Sequence, residues 1–574
     1  MSATLVGDLF LFVLVVFGLG QPAATWWNRW APLERLTLAV ATALVAVYLF
    51  SFAVYLAGLD PRWHWLLPLA ATLGLAGRGR ATWTFLRTPE IAAALGHWLL
   101  VVAWCLGLLA LIYSYSGGGW MGDWQEHYER ARFFPGHWRP DFLFVGYYPL
   151  TARPPLANLV TGAFLAVTDD RLAQFQVFTT LLNTLVFFPA LLFVRHWGGG
   201  RTAPALLALV LMLNPLFAQN TTFAWTKLIA AFFVVAGLYF LVTERDRPAR
   251  LPGWPGLPLL AAGMLTHYST GPWMLAFIPL WLWSAQAREG PARLARAIWP
   301  GLLASAALLA TWFGWAMAQF GLHGTVSTNT TVRGLGHVSL ADNFDAWLVK
   351  LWCTLIPHPF HWVNPEMTAQ TNRLTWLRDY FFDIYQLNLP LAFGTAGLFV
   401  LLLAARSAKG AVFTAPRLFW SLGLPLVVAF SVAVQGDPDL FGVTHICLQP
   451  LVIIGLAFIA ATLGRTRPAG RTTGLVVMLA LLWSVDLVLG IALHFAGEAY
   501  VLGWQPGMDL SQYAHSLNAL ALINLVSKIN LHQGFLRDYL PFSPGALVAW
   551  CGVVLTLALG LAVRADRRDG PAAS

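Results

Sequence analysis

Charge is what this chain has least of. Asp, Glu, Lys and Arg make up 11% of its 574 residues, against roughly 25% in a soluble domain. Polar surface that thin cannot cover a water-soluble fold, so a bilayer must serve as part of the solvent. Cysteine is also sparse: Cys105, Cys353, Cys447 and Cys551 have no metal-ligand spacing and imply no disulfide framework. The first apolar run, 5–20, lacks a basic leading segment and reads as a retained helix rather than a signal peptide. There is no Walker lysine motif, dinucleotide glycine fingerprint or nucleophile elbow.

What fills the space is apolar. Hydrophobic residues reach 58%, and 28 tryptophans fit the membrane–water boundary that indole rings favour. With ~17–25 residues per span, hydropathy marks about fifteen candidates. They lie near 4–20, 36–57, 63–76, 91–112, 172–194, 203–218, 226–243, 257–270, 272–286, 298–320, 389–404, 417–434, 447–463, 473–494 and 545–563. The net charge of +9 is not a nucleic-acid footprint, because the arginines sit in short clusters between these runs, as at Arg245, Arg247 and Arg250, or Arg465, Arg467 and Arg471. Alternating the spans puts all the clusters on one face, which the positive-inside rule makes cytoplasmic.

The expected protein is an all-α, multi-pass inner (plasma) membrane protein of about thirteen to fifteen spans, with a cytoplasmic C-terminus and membrane lipids as partners. Residues 1–90 form N-terminal transmembrane helices and 91–574 the main module, with no separate soluble domain. Three long segments, 113–171, 321–388 and 497–544, fall outside the cytoplasm, and loops of such length are usually functional. Apolar stretches within them, such as 156–167 and 517–529, are too short to span and suit interfacial helices.

The first outer loop carries the most chemistry. Gly117-Gly-Gly-Trp-Met-Gly leads into Asp123-Trp-Gln-Glu-His-Tyr-Glu-Arg130, which reads as a short helix. Asp123, Glu126 and Arg130 share one face of it. A carboxylate at a bundle mouth is placed to accept a proton from an incoming hydroxyl. The competing reading makes Glu126–Arg130 and Glu129–Arg132 surface ion pairs on a solvated helix.

This loop resembles that of the GT-C superfamily of membrane glycosyltransferases, in particular glycosyltransferase family 39, with its protein O-mannosyltransferases and aminoarabinose transferases. Tyr147-Tyr-Pro-Leu-Thr-Ala-Arg-Pro-Pro-Leu-Ala-Asn158 is similar to the Arg-Pro-Pro-Leu-type segment of bacterial members, and His445-Ile-Cys-Leu-Gln-Pro450 sits where many have Arg-Tyr-Leu-Leu-Pro. The likeness runs from about residue 91 onward. It implies a GT-C-like bundle that transfers a sugar, with inversion, from a polyprenyl-phosphate donor to a protein, lipid or polysaccharide acceptor on the extracytoplasmic face. By position Asp123 matches the family's proposed general base. Members often carry two adjacent acidic residues, whereas Trp124 and Gln125 here separate Asp123 from Glu126.

A departing phosphate needs cations around it. Arg130, Arg153, Lys227 and His445 are the candidates. Snorkelling is the alternative for Lys227 and backbone tethering for Arg153. Tyr128, Glu129, His267 and Tyr268 are possible substrate contacts, although His267 also reads as a satisfied bundle histidine. No motif identifies a cofactor with certainty. A divalent metal would fall to His358, His361 and Glu366, yet the proline between the histidines argues against the helical zinc-hydrolase geometry. Asp486, deep in a span, is a functional candidate by default. No cytoplasmic loop is long enough for a nucleotide-sugar domain, which favours a lipid-linked donor. The competing functions are a lipid or glycan transporter, and a polymerase or ligase of lipid-linked glycans.

Overall fold

A computed structural model describes residues 2–26, 28, 30–112, 123–146, 148–243, 254–329, 340–357, 373–394, 397, 401, 417–434, 442–465, 469–502 and 535–568. Among them the chain is helical, with one isolated bridge between Phe144 and Tyr148 and no named strand. The first helices are α1 (Ser2–Trp26), α2 (Pro32–Leu56), α3 (Leu66–Gly77), α4 (Gly79–Leu86) and α5 (Pro89–Leu109). A short helix α6 (Asp123–Phe133) precedes α7 (Leu156–Leu165), α8 (Leu172–Thr184), α9 (Phe187–His196), α10 (Ala203–Leu213), α11 (Pro215–Thr222) and α12 (Lys227–Val242). Then come α13 (Gly256–Thr266), α14 (Gly271–Glu289), α15 (Pro291–Leu309), α16 (Trp315–Val326), α17 (Leu340–Leu355) and α18 (Arg373–Leu387). The last are α19 (Arg417–Val434), α20 (Gln449–Leu463), α21 (Ala469–Leu502) and α22 (Pro544–Arg568).

This is an all-α, polytopic membrane protein. Eight stretches among the described residues are long and apolar enough to cross a bilayer, or nine if the bent pair α10–α11 counts as one. Four shorter apolar helices accompany them, at Leu156–Leu165, Lys227–Val242, Gly256–Thr266 and Trp420–Ala433. Among the described residues, several of the expected apolar runs are broken before reaching full length. The run at 63–76 yields only α3 after a single 3₁₀ turn, Pro61–Trp65. The run at 257–270 stops at Thr266, where His267 turns extended (φ −157°, ψ 136°). Between α10 and α11, Asn214 accepts a hydrogen bond from Phe217 N at 2.8 Å and Pro215 cannot donate to the preceding turn. The axis bends there by 73°. The expected span 389–404 lies largely outside the described residues, as does 517–529.

The α8–α9 run is buried throughout and forms the centre of the bundle. α1 and α2 pack on each other, α1 also packs on α8, and α2 on α5, α7 and α9. α7 differs from expectation. All ten of its residues are buried, between α2, α6, α8 and α13, so it is a core element and not an interfacial one. Polar groups inside the bundle are answered individually. Glu34 on α2, for example, accepts from Ala31 N at 3.1 Å and from the Tyr239 hydroxyl at 2.9 Å.

Candidate active site

The site is built on α6, which packs on α7 at the end of the bundle where α2 finishes: Tyr55 of α2 contacts Phe133 and Phe134. Residues 123, 126, 127 and 130 recur at helical spacing and form one face. Contrary to the solvated reading, that face is buried: Asp123 is 8% exposed, Glu126 0%, His127 2% and Arg130 1%.

Glu126 is the anchor. Its Oε1 accepts from Arg130 Nε at 2.7 Å, and Arg153 Nη2 lies 3.3 Å from its Oε2. Burial pushes its carboxyl up, but the guanidiniums of Arg153 and Arg130 outweigh that and hold it at about 2. Arg130 is committed further, donating to Leu150 O and Pro149 O at 2.9 Å each and lying over the Phe144 ring. It braces the Pro-rich turn, which places three of its donors away from any ligand.

Arg153 is positioned by its neighbour. Pro154 excludes the helical region for the residue before it, and Arg153 is extended at φ −133°, ψ 142°. Its Nη2 thereby reaches Glu126 and stands 3.7 Å from Asp123 Oδ1. The two carboxylates hold Arg153 fully charged against the cost of its burial.

Asp123 is held from the other side by a residue that the sequence reading missed. Trp225 Nε1 donates to Asp123 Oδ2 at 2.9 Å. Ala224, just before it, adopts a left-handed φ of 64°, a strain that persists only where surrounding structure enforces it. Burial raises the Asp123 carboxyl above its ordinary range, with Arg153 opposing. Lys227 Nζ sits 3.5 Å from the centre of the Trp225 ring, and His445 lies against the same ring at 5.9 Å. Asp123, Lys227 and His445 are therefore brought together around one indole, with Arg153 beside Asp123.

His127 is a second missed residue. Its Nδ1 pairs with Asn158 Oδ1 at 3.2 Å, and burial lowers it to about 3, so the ring is neutral at physiological pH. His267 Nδ1 accepts from Ser269 N at 3.1 Å, which leaves its proton on Nε2. That Nε2 is buried with no hydrogen-bond partner among the described residues. Tyr268 donates to Thr151 O at 3.1 Å, two residues before Arg153. Tyr128 and Glu129 turn elsewhere. The Tyr128 hydroxyl donates to Asp170 O, while Glu129 accepts from Val145 N and Gln125, and Arg132 pairs with Asp170.

Asp486 belongs to another place. It accepts from the Tyr385 hydroxyl of α18 at 3.1 Å, and with Arg378 and His494 it lines a cavity of about 130 Å³. Phe223 and Phe382 stand between that cavity and Trp225. His358, His361 and Glu366 lie outside the described residues. No group of three or more potential metal ligands occurs among the residues described.

The fold and site together define a polytopic helical membrane protein with a buried carboxylate–guanidinium cluster at one end. No family model and no curated protein matches the chain. Among solved structures it is similar to a crystal structure of ArnT from Cupriavidus metallidurans bound to undecaprenyl phosphate, at 15% identity and a TM-score of 0.43. It is also similar to the apo state of that protein, at 14% identity and a TM-score of 0.45. Each likeness covers 83% of this chain and 77% of the other.

Proposed function

We propose that the chain is an inverting GT-C-type glycosyltransferase that moves a sugar from a polyprenyl-phosphate donor to an acceptor hydroxyl on the extracytoplasmic face. The observation that carries this reading is the charge balance of the buried cluster. Among the described residues the guanidiniums of Arg130 and Arg153 and the amine of Lys227 gather at two site carboxylates, Asp123 and Glu126, while burial keeps His127 neutral. Buried charge demands compensation, and an anionic phosphate beside Arg153 and Lys227 supplies it.

Asp123 then acts as general base. The acceptor oxygen bonds to the anomeric carbon, its proton passes to Asp123, and the bond from that carbon to the phosphate oxygen breaks. The electron pair leaves on the phosphate, where Arg153 and Lys227 stabilise it. Glu126 and Arg130 act through Arg153 by fixing its position, so Glu126 is a positioning residue, and Arg130 binds the turn instead of the donor. His445, His267 and Tyr268 line the same region and suit contacts to sugar or phosphate oxygens.

The reading is tested with purified full-length protein and a synthetic polyprenyl-phosphate sugar, measuring release of polyprenyl phosphate in the presence of candidate acceptors. Turnover that depends on Asp123 supports it, and an inert but folded parent across lipid, glycan and peptide acceptors overturns it. Sidedness has its own test, since all four native cysteines are buried. In intact cells a cysteine at the exposed Arg139 should react with an impermeant maleimide, and one at the exposed Arg80 should not. The reverse labelling places the site in the cytoplasm.

A further inference from the structure

α8 carries two buried polar side chains on one face, Thr180 and Asn183. Both direct their donors to the chain segment that delivers Trp225. Thr180 Oγ1 donates to Thr221 O at 2.9 Å, and Asn183 Nδ2 donates to Asn220 O and to Trp225 O at 3.1 Å each. Asn220 and Thr221 lie in the last turn of α11, where carbonyls have no partner within the helix. A stranded carbonyl is costly in an apolar bundle, so α8 caps α11 from the side.

Asn183 does more than cap. Its two acceptors, Asn220 and Trp225, bracket the turn between α11 and α12, in which Ala224 holds its left-handed φ of 64°. That conformation is unfavourable for alanine, and one amide bridging both ends of the turn enforces it. The direction in which the Trp225 side chain leaves the backbone is thereby fixed, and its Nε1 reaches Asp123 Oδ2 at 2.9 Å. The same turn is tied to the other side of the site. Asn220 Oδ1 accepts from Gln449 Nε2 at 2.7 Å, and Gln449 Nε2 also donates to His445 O at 3.0 Å.

Resting on the glycosyltransferase reading, we infer that Asn183 is a positioning residue for the reaction, which through the Trp225 carbonyl holds the indole N–H on the general base Asp123. A hydrogen bond donated to a carboxylate favours its charged form, so the indole keeps Asp123 ionised to lower pH than burial alone would allow. Arg153, Glu126 and Lys227 are the charged groups that act on the same carboxylate, and the substitutions below leave all three in place. Releasing the turn frees the indole from Oδ2. Asp123 then takes up its proton at higher pH, and the acid limb of kcat/KM moves upward with it.

The test follows Asp123 in the full-length protein in two ways: infrared titration of the carboxyl band that Asp123→Asn removes, and the acid limb of kcat/KM for a synthetic polyprenyl-phosphate sugar. Trp225→Phe deletes the hydrogen bond itself and sets the reference, an upward shift of about one pH unit. Asn183→Leu should shift the titration the same way and add nothing once Trp225 is already Phe, because both changes remove one interaction. Thr180→Val strands a carbonyl at the same helix end without touching that of Trp225. It should lower the melting temperature and leave the titration alone. If Asn183→Leu does not fold, Asn183→Ser decides, its short hydroxyl serving only one of the two carbonyls. An unmoved titration in Trp225→Phe or in the folded Asn183 variant overturns the inference, as does an equal shift in Thr180→Val, which would reduce Asn183 to a cap. The infrared measurement needs no turnover. A shift in a protein that transfers no sugar sinks the enzymatic reading alone, whereas transfer with an unshifted Asp123 sinks the positioning role alone.

Discussion

α6 and α22 invert the usual relation between polarity and burial. α6 has the sequence DWQEHYERARF, with four acidic or basic residues among its first eight, and eight of its eleven residues are buried. α22 is almost wholly apolar until its last turn, yet Val548, Trp550, Val553, Leu557 and Leu561 are each at least 42% exposed. In water this arrangement would be upside down. In a bilayer the exterior is hydrocarbon, apolar residues lose nothing by facing it, and the protein interior is where charge can be paired. Burial therefore marks paired charge on α6, and exposure marks only topology on α22.

The comparison breaks most visibly at Asp123. Asp123→Asn keeps the acceptor for the Trp225 indole and removes the basicity, so transfer should fall about 10²–10⁴-fold. Thermal stability should hold or rise, because the raised pKa means that the fold disfavours the ionised form, a cost that Asn lacks. Near-parental turnover by a folded Asp123→Asn protein would falsify its role as base.

Glu126 should matter to the fold as much as to the reaction. Glu126→Gln strands Arg130 and Arg153, and breaking a buried pair on one side typically costs about 3–5 kcal/mol. The sign with pH follows from its depressed pKa. The stability that Glu126 contributes is present above the ordinary carboxylate value of 4.5 and lost as pH falls toward about 2. Melting temperature followed from pH 5 downward should therefore slope in the parent and flatten in Glu126→Gln, and parallel profiles would contradict the anchoring role.

Lys227→Ala should raise KM for the lipid donor about tenfold, with Lys227→Arg recovering most of it, because charge near the phosphate is what counts. Identical kinetics in both variants would reduce Lys227 to packing on Trp225. A subtler effect concerns the acid limb of kcat/KM. A general base must be ionised, and burial holds Asp123 above the ordinary carboxylate range. Activity should thus fall with decreasing pH at a value above 3.8, the ordinary aspartate value. A limb at or below that value would show that another group controls it. The smallest effect belongs to the lipid-facing helix: Val553→Ala and Leu557→Ala should change stability by no more than about 0.5 kcal/mol, measured by thermal unfolding in detergent. Larger losses would mean that this face of α22 is covered by protein.

The α6 segment was legible as a helix with Asp123, Glu126 and Arg130 on one face because that is a matter of local period. Its burial was not, since a strongly polar helix reads as solvated unless its packing partners are known. Glu126 and Arg130 do pair, but inside the protein, and Glu129 and Arg132 pair with other residues. Trp225 went unnoticed although it lies two residues before Lys227, as nothing in Phe-Ala-Trp-Thr-Lys indicates an indole facing a carboxylate 102 residues away. His127 stood next to Glu126 and had a weaker signal still, one imidazole on a polar helix.

Composition, apolar run length and helical period by themselves determined the solvent, the helical class and the polar face of α6, because each depends on residues close together in the chain. Tertiary structure alone decided which groups meet. The α10–α11 bend at Asn214, the left-handed turn at Ala224 and the extended Arg153 before Pro154 set directions that no hydropathy window contains. Those directions, and not the residues' periods, bring Asp123 and Lys227 to one indole with Arg153 beside Asp123, so that the scarce charges gather in one place.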